Sequence, residues 1–242
     1  MYLIKNSSEL ASYIEFTNLS NIITEDEMKD FLNQAKEYPF RSVVVSPTYV
    51  PLAKEEMKDT DTKVVTVIGF PLGFESTKAK VAAAKAAIDA GADEIDMVMN
   101  LNYIKDGKHD LIVDEVSKVK EAMGDKALKV TIETKALEDF EKANASIAIE
   151  KAGADYIKTA TGFVTASHIY EHTNDINIIQ KYAPKTKIKV VGGVNGYKLA
   201  NQLLTAGADL IGTSSDFKIV DDYKNLRKNT QVEPKPINLK KD

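Results

Sequence analysis

Several absences narrow what this 242-residue chain can be: it contains no cysteine, no tryptophan and only three histidines. A chain without cysteine has no disulfide framework, no thiolate metal ligand and no cysteine nucleophile. Its longest apolar stretch, residues 64–74, is interrupted by Thr66, Gly69, Pro71 and Gly73. That stretch is much shorter than the ~20 apolar residues of a membrane-spanning helix, so the pattern argues against a membrane protein.

The charge composition is balanced, with 32 basic and 36 acidic side chains, a formal net charge of −4 and 43% hydrophobic residues. This is typical of a globular protein and gives no support for a nucleic-acid or membrane-surface partner. Residues 1–13 contain one lysine and no sustained apolar region, which is unlike a secretory signal. We therefore expect a cytoplasmic protein with a domain over residues 1–220 and a polar, lysine-rich tail over 221–242.

The tetrapeptide Ala-Gly-Ala-Asp occurs three times, with its glycine at Gly91, Gly153 and Gly207. Each copy follows a helical pattern and opens a short apolar run: EIDMVMN, YIKTATG and LIGTSS. Glycine directly after a helix suits the left-handed position that ends it. The repeats therefore predict helix-to-strand units at regular intervals along one domain.

Five further runs with strand character raise the predicted number of strands to eight; they cover 13–17, 42–47, 63–70, 128–134 and 188–193. Predicted helices alternate with them, beginning after Thr24 and Ser76 and covering roughly 109–123, 138–152, 165–182 and 197–206. Eight alternating units at this length favour an α/β fold of the (β/α)₈ TIM-barrel type, in a single domain. A doubly wound open sheet is the alternative.

Three charged residues lie at positions of these strands that should face the barrel interior: Asp96, Lys158 and Lys189. Side chains alternate along a strand, and the apolar neighbours of each charge occupy the other face. One interpretation is a buried ion pair that fills the barrel. The other is a reactive lysine, because burial and a second cation favour the neutral amine that attacks a carbonyl carbon to form a Schiff base. Asp96 would then move protons.

Glycines and hydroxyl side chains follow the last two predicted strands: Gly192, Gly193, Gly212, Ser214 and Ser215. The loops after strands seven and eight of such a barrel commonly bind phosphate through backbone amides and hydroxyls. Tight turns that need glycine are the alternative interpretation.

Two histidines four residues apart, His168 and His172, resemble a pair of metal ligands on one helical face. No third ligand is evident in the sequence, so we prefer an exposed helix surface and predict neither a metal site nor a cofactor.

The chain resembles the deoxyribose-phosphate aldolase family of class I aldolases. The similarity covers roughly residues 13–219, through the segments VTVIGFPLG, AGADEIDMVMN, KVTIET, AGADYIKTATGF, KVVGGV and IGTSS. The resemblance implies reversible, metal-independent cleavage of 2-deoxy-D-ribose 5-phosphate to acetaldehyde and D-glyceraldehyde 3-phosphate. It implies small phosphosugar and aldehyde ligands, and a homodimer or a monomer.

The resemblance also implies roles for particular residues. Lys158 matches the Schiff-base lysine, Lys189 the lysine that perturbs it, and Asp96 the proton-relay carboxylate. Gly162, Gly192, Gly193, Ser214 and Ser215 match the phosphate-site region, and Thr161 in the same loop would orient the substrate.

Four positions depart from the family pattern: Val44 replaces a frequent cysteine, Glu15 replaces an aspartate that would support Lys189, Asn195 replaces an arginine, and Asp216 replaces a glycine. Of these, Asn195 and Asp216 lie in the expected phosphate region. The last two put the binding of phosphate in doubt. A related aldolase for another or a non-phosphorylated aldehyde, and a non-catalytic phosphosugar-binding barrel, therefore remain as alternatives.

Overall fold

The computed structural model describes residues 4–163, 169–214 and 217–230, which form a closed barrel of eight parallel strands. Each strand pairs with the next along the chain, and β8 pairs with β1 to close the barrel. Helices connect consecutive strands. The predicted single-domain (β/α)₈ architecture is confirmed, and the open sheet is excluded.

The strands are β1 Ile14–Asn18, β2 Ser42–Val45, β3 Lys63–Ile68, β4 Glu94–Val98, β5 Ala127–Thr131, β6 Tyr156–Lys158, β7 Lys187–Val191 and β8 Leu210–Thr213. The helices are α1 Ser7–Ala11, α2 Glu25–Ala35, α3 Val50–Glu56, α4 Thr77–Asp89, α5 Leu101–Lys105, α6 His109–Met123, α7 Asp139–Lys151, α8 Ile169–Tyr182, α9 Tyr197–Ala206 and α10 Lys218–Thr230. Most strands end several residues before the predicted runs do, so the ends of those runs are loops at the carboxyl mouth of the barrel.

The aspartate of each Ala-Gly-Ala-Asp repeat has the same structural task. Asp93, Asp155 and Asp209 each accept a hydrogen bond, 2.8 Å long, from a backbone N–H near the start of the preceding strand. The backbone N–H of each aspartate donates back to the carbonyl of that same residue. The repeat thus joins β4 to β3, β6 to β5 and β8 to β7, which explains its spacing of two βα units.

The buried apolar side chains form two groups. The larger group fills the layer between strands and helices, and it includes the outward-facing Ile95, Met97 and Ile157. The smaller group, Val44, Val65 and Val67, belongs to β2 and β3 alone. Strands β1, β4, β5, β6 and β7 instead carry buried charged side chains, so the barrel interior is apolar on one side and ionic on the other.

The predicted tail begins inside helix α10, which runs across position 220. Tyr223 is buried against the core, and Arg227 donates to the carbonyl of Ile4 at 3.1 Å. Residues 231–242 lie outside the described part, and the division at 220 stays a prediction. Among the described helices, none is long and apolar enough to cross a membrane.

Candidate active site

The three charged residues predicted to face inward meet at one carboxylate oxygen. Asp96 Oδ2 accepts hydrogen bonds from Lys158 Nζ at 2.9 Å and from Lys189 Nζ at 2.7 Å. All three residues are no more than 2% exposed. Their strands explain the meeting: Lys158 on β6 and Lys189 on β7 are paired in register, and Asp96 reaches them from β4.

A third buried lysine, Lys129 on β5, extends this cluster and was missed in the sequence. Its Nζ lies 2.8 Å from Glu94 Oε2, 3.2 Å from Glu15 Oε1 and 3.4 Å from Asp96 Oδ1. Glu15 also forms a close ion pair with Lys189. The longer glutamate therefore reaches Lys189 despite replacing the family's aspartate.

Glu94 connects the cluster to the amino-terminal end of the barrel. Its Oε1 accepts from Arg41 Nη2 at 2.7 Å and from Lys63 Nζ at 2.8 Å. Arg41 and Lys63 are partly exposed, whereas Glu94 is buried. Ion pairs of alternating sign thus run through the barrel from its amino-terminal surface to the paired lysines.

The buried charges shift the pKa values of Lys158, Asp96 and Lys129 in different directions. Burial lowers the pKa of Lys158 and the nearby Lys189 ammonium lowers it further, although Asp96 acts in the opposite direction. Burial alone would raise the pKa of Asp96, but Lys158, Lys189 and Lys129 outweigh it and hold that pKa well below its usual range. Burial would lower the pKa of Lys129, but its three carboxylate neighbours raise it. The geometry therefore favours an ionised Asp96, a charged Lys129 and an amine at Lys158 that loses its proton readily.

A cavity of about 520 Å³ opens at the carboxyl end of the strands. Its lining comes from the ends of β1, β6, β7 and β8 and from the loop after β3. Asp96, Lys158 and Lys189 are not among the residues that line the cavity. Two lining residues, Phe70 and Gly212, lie close to the two lysines. The Phe70 ring centre is 5.8 Å from Lys158 Nζ, and a Cβ added at Gly212 would lie 3.1 Å from Lys189 Cε.

The predicted phosphate loops line the same cavity through Gly162, Gly192, Gly193, Gly212 and Ser214. The first three glycines have positive φ angles of 92°, 110° and 68°, a backbone region that other residues rarely adopt. Ser214 is exposed at the end of β8. Ser215 and Asp216 lie outside the described residues.

Thr161 also lines the cavity, but both of its hydrogen-bond donors are already used. Its backbone N–H and its hydroxyl donate to Glu133 Oε2 at 3.0 and 2.6 Å. Glu133 is buried and adopts a left-handed backbone conformation with φ 51°. Glu133 therefore holds the loop after β6 against the loop after β5, a role that the sequence did not indicate.

The prediction that His172 lies on an exposed helix surface is wrong. Its side chain is 2% exposed, and its Nε2–H donates to the Gly192 carbonyl at 2.9 Å. Burial lowers the pKa of this imidazole and favours the neutral ring. His172 thus supports the glycine pair from behind, and His168 lies outside the described residues. Within the described ranges, no three His, Asp or Glu side chains are grouped as metal ligands.

Among the described residues that line the cavity, none carries a positive charge. The loop sequences agree, since neither Lys nor Arg occurs in 159–168, 191–197 or 210–217. The described lining therefore offers an anionic ligand backbone N–H groups and hydroxyls.

Comparisons with known proteins show which family and which solved structures the chain is similar to. Residues 11–215 match the model of the DeoC/LacD family aldolases. A deoxyribose-phosphate aldolase of Streptococcus suis is 42% identical over 214 residues, which cover 88% of this chain and 96% of that protein. The solved structure of an aldolase named QR15 has a TM-score of 0.83 at 34% identity and covers 93% and 99% of the two chains. A deoxyribose phosphate aldolase of Aeropyrum pernix, described as a unique tetramer, has a TM-score of 0.82 at 28% identity and covers 92% and 94%.

Proposed function

Because the chain belongs to the DeoC/LacD family of aldolases, we propose that it cleaves 2-deoxy-D-ribose 5-phosphate reversibly to acetaldehyde and D-glyceraldehyde 3-phosphate. The observation that carries the proposal is the shared contact of Lys158 and Lys189 with Asp96 Oδ2. That contact places an amine, a second cation and a carboxylate together beneath a cavity. A class I aldolase needs these three groups and no metal or organic cofactor.

Lys158 begins the reaction as the nucleophile. Its neutral Nζ adds to the C1 aldehyde of the open-chain sugar, and the carbinolamine loses water to form an iminium ion. Lys189 disfavours the protonated amine of Lys158, and the buried setting excludes bulk water. Asp96 is placed to pass protons to and from the carbinolamine oxygen through Lys189 or an intervening water.

Cleavage then uses the iminium nitrogen as the electron acceptor. The C3 hydroxyl gives its proton to the Asp96–Lys189 relay through an intervening water, the C2–C3 bond breaks and its electron pair moves into the C2–C1–N system as an enamine. C3 leaves as the aldehyde carbon of glyceraldehyde 3-phosphate. Protonation of the enamine at C2 and addition of water release acetaldehyde and restore Lys158. The same Asp96–Lys189 relay is the nearest source of that proton.

We place the substrate phosphate at the loops after β6, β7 and β8. Gly162, Gly192 and Gly193 offer backbone N–H groups beside the cavity, and Ser214 offers a hydroxyl. Thr161, whose N–H and hydroxyl donate to Glu133, would orient the sugar by fixing the shape of the same loop, and we propose Ser215 as a further phosphate ligand from its place in the sequence. Glu15 supports the relay by pairing with Lys189.

Turnover of the proposed substrate tests this function. Purified protein with 2-deoxyribose 5-phosphate should release acetaldehyde and glyceraldehyde 3-phosphate in equal amounts, both measurable with coupled dehydrogenase assays. The Lys158→Met variant should be inactive while it still unfolds cooperatively on heating. Wild-type protein that releases neither product would refute the proposal.

Because no lining residue in the described part of the chain is cationic, a second candidate is an aldolase that prefers a non-phosphorylated aldehyde. Comparing kcat/KM for 2-deoxyribose and its 5-phosphate decides between them. The phosphosugar should be preferred, because oriented backbone N–H groups bind anions without a cation. Preference for the free sugar would select the second candidate. A barrel that binds phosphosugar without catalysis would show heat of binding but no products.

We further propose a cytoplasmic homodimer. Phosphorylated sugars do not cross membranes unaided, which places the substrate inside the cell. Phe140 and Ile147 on α7 are 66% and 46% exposed and, seven residues apart, lie on one helical face, as expected of an apolar contact surface. Light scattering should give about twice the 26.7 kDa chain mass; a mass of one or four chains would contradict the dimer.

A further inference from the structure

The unexplained part of the charge network lies at the amino-terminal end of the barrel, away from the cavity. Glu94 is buried at the start of β4, two residues before Asp96 on the same face of the strand. Its ion-pair partners are Arg41, Lys63 and Lys129, so its influence on Lys158 passes through Lys129 and Asp96. Burying a carboxylate is unfavourable unless its ion-pair partners offset the loss of hydration. One partner of Glu94, Lys129, also lies close to Asp96.

Lys129 transmits this charge, since its ammonium group lies between the carboxylates of Glu94, Glu15 and Asp96. Glu94 is its nearest partner at 2.8 Å, whereas Asp96 Oδ1 is 3.4 Å away. Asp96 thus has one oxygen toward Lys129 and the other toward the two lysines nearer the cavity. If the negative charge of Glu94 is removed, the electrostatic attraction between Lys129 and Asp96 must change as well.

We propose that Glu94 is a positioning residue for the aldolase chemistry, which acts through Lys129 to fix the charge and orientation of Asp96 and so the protonation of Lys158. The inference rests on the proposed function only for its activity readout. The role is remote: Glu94 sets the electrostatic balance of the site from the opposite end of the barrel, where Arg41 and Lys63 connect it to solvent.

All charged groups facing this network take part in the balance. Glu94 faces Arg41, Lys63 and Lys129. Lys129 also faces Glu15, Asp96 and the ring of Tyr156, and Lys187 lies over that same ring. Lys158 faces Asp96 and Lys189, and Glu15 is near enough to act on it. Within the barrel, three lysines are thus matched by three carboxylates. Removing Glu94 leaves one excess positive charge.

The sign of the expected effect follows from that excess. A more positive interior disfavours the protonated form of Lys158, so the neutral amine persists to lower pH. In Glu94→Gln, the acid limb of the pH profile of kcat/KM should move down by about half a unit to one unit, as expected for a charge two ion pairs away. Removing the cation Arg41 as Arg41→Met should move it upward, by less because Arg41 is partly exposed.

The experiment measures kcat/KM for 2-deoxyribose 5-phosphate between pH 5 and 9 for both variants. Glu94→Asp, which keeps the charge, should return the limb toward its wild-type position. Glu115→Gln breaks a fully buried 2.9 Å ion pair with Lys80 outside the strands, and it should cost stability without moving the limb.

Opposite shifts in Glu94→Gln and Arg41→Met support the proposal. Lower rates with an unmoved acid limb in both would overturn it by showing a structural role only. If Glu94→Gln does not fold, Arg41→Met and Lys63→Met decide: each removes a cation paired with Glu94 Oε1, so both should move the acid limb upward, and an unmoved limb in both would overturn the proposal. Failure of the proposed function is distinct, since wild-type protein would then show no turnover at any pH.

Discussion

Lys158 and Lys189 donate to the same oxygen of Asp96, although they lie on different strands. Two ammonium groups this close cannot both keep their protons as readily as isolated lysines do. Asp96 holds the pair together, and a second carboxylate, Glu15, forms an ion pair with Lys189. The remaining properties of the site follow from this arrangement.

Lys189→Met should slow the reaction and shift its pH dependence. In the wild-type protein the Lys189 ammonium disfavours the protonated form of Lys158. Removal of this cation should therefore raise the pKa of Lys158. The acid limb of kcat/KM should therefore move to higher pH, and kcat should fall further because the relay is broken. Lys189→Arg, which keeps the charge, is the matched control. An acid limb that moves down, or does not move, would contradict this reading.

Asp96→Asn should lower kcat by about 10²- to 10⁴-fold, the range for removal of a positioned acid–base group. It should also destabilise the fold, because Lys129, Lys158 and Lys189 lose a shared counter-charge in a buried site. Steady-state kinetics and urea unfolding measure the two effects separately. A folded Asp96→Asn protein with near wild-type kcat would remove Asp96 from the mechanism.

Gly212→Ala tests the space that Lys189 requires. A Cβ at this position would lie 2.6 Å from Val191 Cγ2 and 3.1 Å from Lys189 Cε, so one of them must move. We expect at least a ~10-fold loss in kcat, since small misplacements of catalytic groups are costly. The control is Gly124→Ala, whose Cβ meets nothing within 4 Å; its positive φ costs stability only. Equal activity of both variants would contradict the prediction.

Asn195→Arg should improve the binding of phosphorylated substrate. Asn195 is exposed and lines the cavity, where no described lining residue is cationic. A charge-assisted hydrogen bond adds about 1.5 kcal/mol or more, which corresponds to roughly a 10-fold lower KM. KM for unphosphorylated 2-deoxyribose should stay unchanged. An equal effect on both sugars would show that position 195 does not face the phosphate.

Acid should destabilise the protein through its buried carboxylates. Burial would raise the pKa of Glu94, but Lys129, Lys63 and Arg41 lower it from 4.5 to about 2. Ionised Glu94 therefore stabilises the fold fully above pH 4.5, and this contribution disappears as pH falls from 4.5 toward 2. The loss is about 3 kcal/mol at ~1.4 kcal/mol per pKa unit. Urea unfolding at pH 7, 4 and 3 should show a steeper decline in wild-type protein than in Glu94→Gln; parallel declines would contradict the assignment.

The sequence was sufficient to predict the barrel and the inward-facing trio of charged residues, because both depend on local rules. The Ala-Gly-Ala-Asp repeat marks helix ends and strand starts, and alternation along short strands determines which face carries Asp96, Lys158 and Lys189. The same alternation applies to β5 and would have placed Lys129 inward, between the outward Leu128 and Val130.

Contacts between separate loops could not be predicted from the sequence, because they depend on tertiary packing. Two histidines four residues apart indicate a shared helical face, but not whether that face packs against the barrel, as His172 does on Gly192. Glu133 and Thr161 meet because two neighbouring loops fold together, and no sequence spacing encodes that. In the sequence, Glu94 is an ordinary glutamate at the start of a strand. Only the packing of neighbouring strands brings Arg41, Lys63 and Lys129 around it.

The central claim is that Lys158 forms a covalent imine with the substrate, and reductive trapping tests it most directly. Incubation with 2-deoxyribose 5-phosphate and sodium borohydride should add one substrate-derived group per chain, and peptide mass spectrometry should place it on Lys158. The adduct should be absent from Lys158→Met and present in Glu115→Gln. No adduct in active wild-type protein, or an adduct on Lys189 or Lys129 instead, would contradict the account.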